Sequence, residues 1–239
     1  LHFTATKEYK KRVIQMGETP KNVYCVGGLG VDNIMSTSLY SKSDLEKKLN
    51  IKLLKKIVLV TYHPETLKKK TSISNLKNLF KALRTLKKTT VIFTMPNSDI
   101  ESMVIHKFIT KFVSKRKNYY LFKSLGQKKY YSFCNFSDFM IGNSSSGLLE
   151  MPTFKKFSIN IGERQSGRIK AKSVIDSTAH TKNIIKAIKF ALNPVNRRKI
   201  KNVINPYGRG GASKKILNIL KNKNFNNLIM KKFFNIKFK

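Results

Sequence analysis

The chain has 239 residues, 41% of them hydrophobic, so it can bury a substantial core, and no apolar run approaches the length of a membrane span. Its formal net charge of +37 would ordinarily indicate nucleic acid or an anionic membrane as a partner. Eight of the 49 basic residues are arginine, however, and the 41 lysines lie along the whole chain among many Asn and Ile residues. We therefore expect a soluble, cytoplasmic protein with no nucleic-acid partner and no membrane partner, polynucleotide binding being the minority alternative.

The chain opens at Leu1 rather than Met and without a signal-like segment, which we interpret as a piece of something longer. Thr4 or Thr6 can cap a first helix over residues 7–16, and Gly17 supplies a stop. Further helices are predicted over residues 42–49, 74–86, 100–113 and 128–133, and strands over residues 22–28, 56–63, 89–97, 118–122, 138–141 and 159–161. Strands that are apolar throughout and alternate with amphipathic helices predict a doubly wound α/β fold with a parallel sheet.

Cysteine and histidine give no sign of a metal site or a redox site. Cys25 and Cys134 lie far apart in the sequence, and we expect both to be buried free thiols in a reducing compartment. The four histidines show no metal-ligand spacing with each other or with the cysteines. We therefore predict no structural zinc.

The sequence IGNSSSGLLE, residues 141–150, predicts a strand that ends at Gly142, a tight loop, and a helix from Leu148. The first amides of a helix lack intrahelical partners, so such a junction can bind phosphate without a lysine. Ser144, Ser145 and Ser146 add hydroxyl donors, and Gly147 allows a ligand to approach the backbone closely. The alternative is ordinary helix capping, because serines before an apolar run are typical caps.

Residues near this loop extend the candidate site. Glu150 can reach the hydroxyl pair of a sugar, or it can cap the helix. Arg164, Gln165 and Arg168 follow the next predicted strand, and two guanidinium groups beside an anion site suit bidentate phosphate contacts.

Polar residues follow two other predicted strands. His63 comes after VLVTY and Asn97 after VIFTMP. Because ligands of doubly wound sheets gather beyond the carboxyl ends of the strands, we expect these side chains to meet the serine loop there. Each also has an ordinary explanation, since His63 can be a surface hydrogen-bonding group and Asn97 a turn residue.

Several motifs together carry a family resemblance: VTYHPET, FTMPNSD, IGNSSSGLLE, INIGERQSGR and NPYGRGGAS. In this order and spacing, over roughly residues 1–220, they resemble the carboxyl-terminal half of the hydrolysing UDP-N-acetylglucosamine 2-epimerases, which make N-acetylmannosamine at the start of sialic acid and related nonulosonate synthesis. The opening LHFTATKEYKKRVIQMGE with VGGLGVDNI resembles the passage from that family's first domain into its second. One departure is VGGLG, where the family commonly has a proline.

The resemblance implies the nucleotide-binding half of a two-domain, glycosyltransferase-B-like fold, whose reaction eliminates UDP from the UDP-sugar substrate and then hydrates the resulting glycal. It implies that His63 contacts the diphosphate and assists the departure of UDP. It also implies that Asn97 lines the nucleotide pocket. Ser144, Ser145 and Gly147 would hold the phosphates and Glu150 the ribose. In the same scheme Arg164 would add a basic contact, and Gln165 and Arg168 belong to the same motif. No cofactor is implied, and the full enzyme is expected to be at least a homodimer.

The resemblance also divides the chain. Residues 1–20 would be an incoming segment from a missing first domain, 21–206 the UDP-binding Rossmann-like domain, 207–222 a carboxyl-terminal helix that packs on the first domain, and 223–239 a basic tail. The tail can cover surface left by that domain, fray, or lie on an anionic membrane.

The family's acid and base carboxylates lie in the first domain, and none of the 12 acidic residues here is predicted to replace them. We therefore expect this polypeptide alone to bind UDP weakly or not at all and to turn over no substrate. N-acetylglucosamine and a diacetamido sugar remain open as the substrate sugar. The alternatives for the function are half of a sugar-nucleotide glycosyltransferase, or an inactive basic binding module.

Overall fold

The computed structural model describes residues 1–64, 69–95, 100–226, 228 and 230–236, with the backbone alone at 69–71 and 100–102. The chain forms two compact units. One comprises Leu1–Thr37 with Asn205–Lys239, and the other Ser38–Ile204. None of the described helices is long and apolar enough to cross a bilayer.

The larger unit alternates strands and helices along the chain. In order, its elements are α3 (Lys42–Leu49), β3 (Lys56–Thr61), α4 (Lys69–Leu83), β4 (Thr89–Thr94), α5 (Ile100–Val113), β5 (Tyr119–Phe122), α6 (Gly126–Phe136), β6 (Phe139–Gly142), α7 (Ser146–Leu149), β7 (Phe157–Ile161), β8 (Val174–Ser177), α8 (Thr181–Leu192) and α9 (Pro194–Lys199). The described strands pair in the order β5-β4-β3-β6-β7-β8, and every pairing is parallel. The prediction of a parallel α/β sheet is confirmed.

Side chains of the sheet are buried on both faces, because successive residues of a strand point to opposite sides. Ile57 and Leu59 join a core cluster with residues of α3 and α6. Val58 and Val60 join the opposite cluster with residues of α4, α5 and α8. Helices therefore cover both faces, which is why the central strands read as continuous apolar runs.

Helix α3 shows how local sequence sets an element. The Ser41 hydroxyl accepts a hydrogen bond from the Asp44 amide, and the Asp44 carboxylate accepts one from the Ser41 amide, which completes a capping box. Asn50 ends the helix in the left-handed conformation with φ 50°. The predicted bounds of 42–49 are confirmed, as are those of α5.

The helix predicted over residues 128–133 lies inside α6, where Phe133 and Cys134 are buried against the sheet. Tyr130 with these two residues has the i, i+3, i+4 spacing of a helix face. The expectation for Cys25, which lies in the other unit, was wrong: it is exposed, whereas Cys134 is buried as expected.

The smaller unit contains both ends of the chain. Its elements are β1 (His2–Thr4), α1 (Lys7–Gln15), a 3-10 turn (Pro20–Asn22), β2 (Val23–Cys25), α2 (Leu29–Ser36) and α10 (Ala212–Asn222). Strands β1 and β2 pair in parallel. Asp32 of α2 caps α10, since its carboxylate accepts hydrogen bonds from the Ala212 amide at 3.0 Å and the Ser213 amide at 2.7 Å.

Candidate functional site

The sheet has one point at which the chain reverses its direction of travel. From β3 the chain proceeds outward to β4 and β5, and then returns to place β6 on the other side of β3. The loops after β3 and β6 leave the sheet in opposite directions, which opens a crevice at the carboxyl ends of these strands, the usual ligand position in such sheets. His63 follows β3, and Ser144 follows β6.

Gly142 allows the two strands to meet closely at this point. Its φ is +145°, and a Cβ built on it would lie 1.9 Å from the Thr61 carbonyl oxygen. No side chain fits in that space, and the conformation itself disfavours any residue with a Cβ. Gly142 pairs with Thr61 of β3 and with Asn160 of β7, so the ends of three strands are level.

Asn143, which the sequence reasoning did not single out, connects the loops that carry the predicted site residues. Its Oδ1 accepts a hydrogen bond from the His63 amide at 2.7 Å, and its Nδ2 donates to the His63 carbonyl at 2.9 Å. Its own carbonyl accepts from the Arg164 guanidinium at 3.2 Å and from Gln165 Nε2 at 2.8 Å. One buried side chain and its peptide group thereby join the loops after β3, β6 and β7.

The three residues predicted after β7 have different environments. Gln165 is 1% exposed and bonds the Asn143 peptide, so it supports the serine loop from within the protein. Arg164 and Arg168 are exposed, and Arg164 also contacts the Asn143 carbonyl. Two guanidinium groups thus lie in the loop that follows β7, one of them bonded to the residue that precedes Ser144.

The serine loop presents backbone amides in the described structure. Helix α7 begins at Ser146 and is a single turn, whereas the sequence predicted a helix from Leu148. The backbone amides of Ser144 and Ser145 donate no hydrogen bond to any described residue, and both residues are partly exposed. Amides of this kind, at the entry to a helical turn, bind an anion readily.

Gly147 lies in α7 and is buried against β7. A Cβ on this residue would lie 3.2 Å from the Ser158 Cβ, and its carbonyl accepts a hydrogen bond from the Ser158 hydroxyl at 2.6 Å. Close packing between α7 and β7 is therefore one reason for a glycine at this position. The close approach of a ligand to the backbone stays a prediction.

Glu150 lines an open cavity of about 390 Å³ at the carboxyl edge of the sheet. The cavity is bounded by Thr94, Met95, Lys123, Ser124, Leu125, Gly126, Gln127, Tyr130, Tyr131 and Glu150. The Ser146 hydroxyl donates to Glu150 Oε2 and also bonds the Tyr130 hydroxyl. Burial raises the pKa of the Glu150 carboxyl, and the hydrogen bond from Ser146 opposes that rise.

Asn97 lies outside the described residues. In the described part of the chain, no three His, Cys, Asp or Glu side chains lie close enough together to hold a metal ion. The structure thus brings His63, Ser144, Ser145, Arg164 and Gln165 together around Asn143, with Glu150 reached through Ser146.

Two residues that the sequence reasoning did not assign take part in this arrangement: Asn143 and Tyr130. Asn143 lies within the IGNSSSGLLE motif, so its position beside the proposed phosphate loop was the available signal. Tyr130 lies on the helix predicted over residues 128–133, but no local pattern indicates that it lines the cavity. Ser146, predicted as a hydroxyl donor of the phosphate loop, donates to Glu150 in the structure.

The family described as UDP-N-acetylglucosamine 2-epimerase matches residues 1–221. A curated relative in Campylobacter jejuni, named GDP/UDP-N,N'-diacetylbacillosamine 2-epimerase (hydrolyzing), is 43% identical over 178 residues, which are 74% of this chain and 46% of the relative. The Escherichia coli polysialic acid biosynthesis protein P7 is 37% identical over 222 residues, which are 92% of this chain and 56% of the relative. The chain thus spans about half the length of these curated relatives.

Solved structures share the fold. The UDP-GlcNAc 2-epimerase of Neisseria meningitidis, described as bound to UDP-GlcNAc, superposes with a TM-score of 0.71 at 21% identity, covering 92% of this chain and 60% of that one. The Methanocaldococcus jannaschii UDP-GlcNAc 2-epimerase, in complex with UDP-GlcNAc and UDP, gives 0.72 at 16% identity, with coverage of 92% and 60%. The glycosyltransferase-B-like assignment of the fold is confirmed.

Proposed function

Because the chain belongs to the UDP-N-acetylglucosamine 2-epimerase family, we propose that it forms the nucleotide-binding half of a hydrolysing UDP-sugar 2-epimerase. The observation that carries this proposal is the cluster at the crevice between β3 and β6. There the Asn143 side chain joins the His63 loop to the serine loop, whose Ser144 and Ser145 amides donate no hydrogen bond within the described residues. Arg164 donates to the Asn143 carbonyl.

The diphosphate of UDP occupies the serine loop in this proposal. The amides of Ser144 and Ser145 donate to phosphate oxygens, and the hydroxyls add short donors. Arg164 and Arg168 supply positive charge from the loop after β7, while Gln165 holds the Asn143 peptide in place. Gly147 allows α7 to pack closely on β7, and this packing holds the serine loop near the end of the sheet.

The nucleoside occupies the cavity lined by Glu150 and Tyr130. Ser146 links this cavity directly to the serine loop, so a ligand with its diphosphate on Ser144 and Ser145 extends into the cavity with its ribose near Glu150. The carboxylate then accepts hydrogen bonds from ribose hydroxyls. Asn97, which lies outside the described residues, is assigned to the same pocket by its motif.

The reaction of the whole enzyme begins with elimination. The proton at carbon 2 of the sugar leaves to a base, the bond from carbon 1 to the phosphate oxygen breaks, and UDP departs with that electron pair. Water then adds to the glycal, hydroxide at carbon 1 and a proton at carbon 2 on the opposite face, to give N-acetylmannosamine. His63 lies on the diphosphate side, where its imidazole donates to the departing oxygen.

In this proposal the base and the groups that add water belong to a first domain outside this chain, and the chain's coverage of 46% and 56% of two curated relatives leaves room for such a domain. Helix α10 is a suitable contact for that domain, since Leu217 and Leu220 are 51% and 38% exposed. The complete enzyme is proposed to be a homo-oligomer. A diacetamido sugar nucleotide is a second candidate substrate, because the Campylobacter jejuni relative is named for one.

Amide chemical shifts of the ¹⁵N-labelled chain, titrated with UDP to millimolar concentrations, test the proposal. We expect UDP to shift the amides of His63, Ser144, Ser145 and Arg164 in one saturating process. Inorganic pyrophosphate and UMP serve as partial ligands. Equal, salt-sensitive shifts with every polyanion and no preference for UDP would support the basic binding module instead.

Two substitutions at Ser145 separate the amide from the hydroxyl. The φ of Ser145 is −61°, the angle that proline enforces, so Ser145→Pro deletes the amide proton with little change in that dihedral angle. We expect Ser145→Pro to weaken UDP binding at least about tenfold, the value of one charge-assisted hydrogen bond. The matched variant Ser145→Ala removes only the hydroxyl, and we expect a smaller loss. Equal binding by Ser145→Pro and the wild type, with both folded, would refute the role of the amide.

A further inference from the structure

A chain of hydrogen-bonded groups runs from α6 to the cavity. The Tyr130 hydroxyl bonds the Ser146 hydroxyl, and the Ser146 hydroxyl donates to Oε2 of Glu150. The Tyr130 hydroxyl also lies 4.0 Å from the Met140 sulfur and interacts with the Cys134 thiol. Three polar side chains on two different helical segments are therefore linked in series, and the last of them lines the cavity.

The chemistry of the groups sets the direction of the chain. An ionised carboxylate can only accept, so the single hydroxyl proton of Ser146 is committed to Glu150. The Ser146 oxygen then accepts the proton of Tyr130. Each bond polarises the next, which strengthens the donor that reaches Glu150. Among the described residues no hydrogen bond is made to the other carboxylate oxygen, Oε1.

The surroundings of Glu150 oppose its ionisation. Burial raises the pKa of the carboxyl, and the titratable groups nearest to it on α6 are Tyr130, Tyr131 and Cys134. Burial raises the pKa of each of these three groups as well, so all are neutral near pH 7. Among the described residues, Lys123 is the cation that lines the same cavity. The hydrogen bond from Ser146 is thus the interaction that stabilises the carboxylate at close range.

We propose that Tyr130 and Ser146 are positioning residues that hold Glu150 as a fixed acceptor with one oxygen reserved for the ligand, and that this arrangement makes the site select a ribonucleotide over its 2′-deoxy counterpart. The inference rests on the proposed function, since it assumes that a nucleoside diphosphate enters the cavity. The structural requirement is that Oε2 stays bonded to Ser146. Oε1 then receives a ribose hydroxyl without competition from another side chain of the described residues.

A comparison of UDP with 2′-deoxy-UDP tests the selection. In the wild-type chain, titrated by amide shifts, we expect 2′-deoxy-UDP to bind roughly tenfold or more weakly, as one lost hydrogen bond to a charged group predicts. In Tyr130→Phe, which keeps the ring and removes the hydroxyl, we expect this ratio to fall below about threefold. Ser146→Ala is expected to do the same.

Tyr119→Phe is the matched control. The Tyr119 hydroxyl donates to the Leu83 carbonyl at 2.9 Å. Tyr119 pairs with Val91 of β4 and does not line the cavity that contains Glu150. The variant removes one buried hydroxyl, as Tyr130→Phe does, so it separates a change in selection from a general loss of stability. We expect it to keep the wild-type ratio.

The pKa of Glu150, followed by carboxyl ¹³C shifts without any ligand, gives a second measurement. The inference predicts a higher pKa in Ser146→Ala and Tyr130→Phe and no change in Tyr119→Phe. An unchanged pKa and an unchanged UDP to 2′-deoxy-UDP ratio in Tyr130→Phe would overturn the inference and leave the proposed function intact. If UDP shifts no amide of the serine loop in the wild-type chain, the proposed function fails, and selection by Glu150 fails with it.

Discussion

Asn143 and His63 are joined by two hydrogen bonds that run in opposite directions, from the His63 amide to Asn143 Oδ1 and from Asn143 Nδ2 to the His63 carbonyl. A carboxamide satisfies both because it carries a donor and an acceptor side by side. The pairing fixes the backbone of the β3 loop against the β6 loop at the crevice of the sheet. It links the proposed leaving-group residue directly to the residue that precedes the proposed phosphate loop.

Asn143→Asp tests this link with little change in shape. A carboxylate oxygen would replace the donor that faces the His63 carbonyl, and it would add negative charge beside the diphosphate. We predict a loss of about 1–3 kcal/mol in the free energy of unfolding and at least about tenfold weaker UDP binding. The exposed Asn202→Asp makes the same charge change at a remote position and should leave both values nearly unchanged. Equal effects of the two substitutions would contradict the role of Asn143.

Gly142→Ala tests the close approach of β3 and β6. The added Cβ would lie 1.9 Å from the Thr61 carbonyl oxygen in a conformation that only glycine adopts easily, so the strands must separate. Denaturant unfolding should show a loss of more than about 3 kcal/mol, or no folded protein. Gly30→Ala in α2, where no atom lies within 4 Å of the added Cβ, should be neutral or slightly stabilising. A Gly142→Ala chain of wild-type stability would contradict the described strand ends.

Glu150→Gln should change stability in a pH-dependent way. The folded-state pKa of Glu150 is raised above its ordinary value of 4.5, so the unfolded chain loses this proton first as the pH rises. The native state is therefore destabilised above pH 4.5, and the substitution should stabilise the chain by about 1 kcal/mol near pH 7. Below about pH 4 both states hold the proton, and the difference should vanish.

The control for this prediction is Glu8→Gln on α1, an exposed residue, for which we expect a change of under about 0.5 kcal/mol. Thermal unfolding at several pH values measures both variants. A Glu150→Gln variant that is less stable than the wild type at pH 7 would show that the carboxylate is a favourable part of the unliganded fold.

A turnover assay tests the division of labour between the two halves. A general base must reach the proton at carbon 2, and we assign that base to the half of the relatives not matched here. We predict that the 239-residue chain releases no UDP from UDP-N-acetylglucosamine above the rate of a blank in a coupled assay. Sustained release of UDP by this chain would contradict the assignment.

Elements whose signals are local were the ones that the sequence predicted well. The Ser41 and Asp44 capping box and the left-handed Asn50 define α3 within one stretch of chain, and the apolar centre of β3 is a continuous run. Cys25 shows the limit of such reasoning. Its place in an apolar run predicted burial, but whether a side chain of a short strand is covered depends on packing from elsewhere in the chain, and Cys25 is exposed.

The candidate site was predicted in its residues but not in its connections. Ligands of parallel sheets bind beyond the carboxyl ends of the strands, and the polar residues predicted there were His63 and the serine loop. It could not identify Asn143 as the residue that joins them, because its hydrogen bonds cross 80 positions of sequence. Likewise, the bond from Tyr130 to Ser146 depends on where α6 lies against the sheet, which no local pattern specifies.

The crystal structure of this chain soaked in concentrated UDP is the most direct measurement. We predict the pyrophosphate on the amides of Ser144 and Ser145, with the uridine in the cavity lined by Glu150 and Tyr130. A serine loop without bound phosphate, in a crystal that holds UDP elsewhere on the chain, would contradict the proposed nucleotide site.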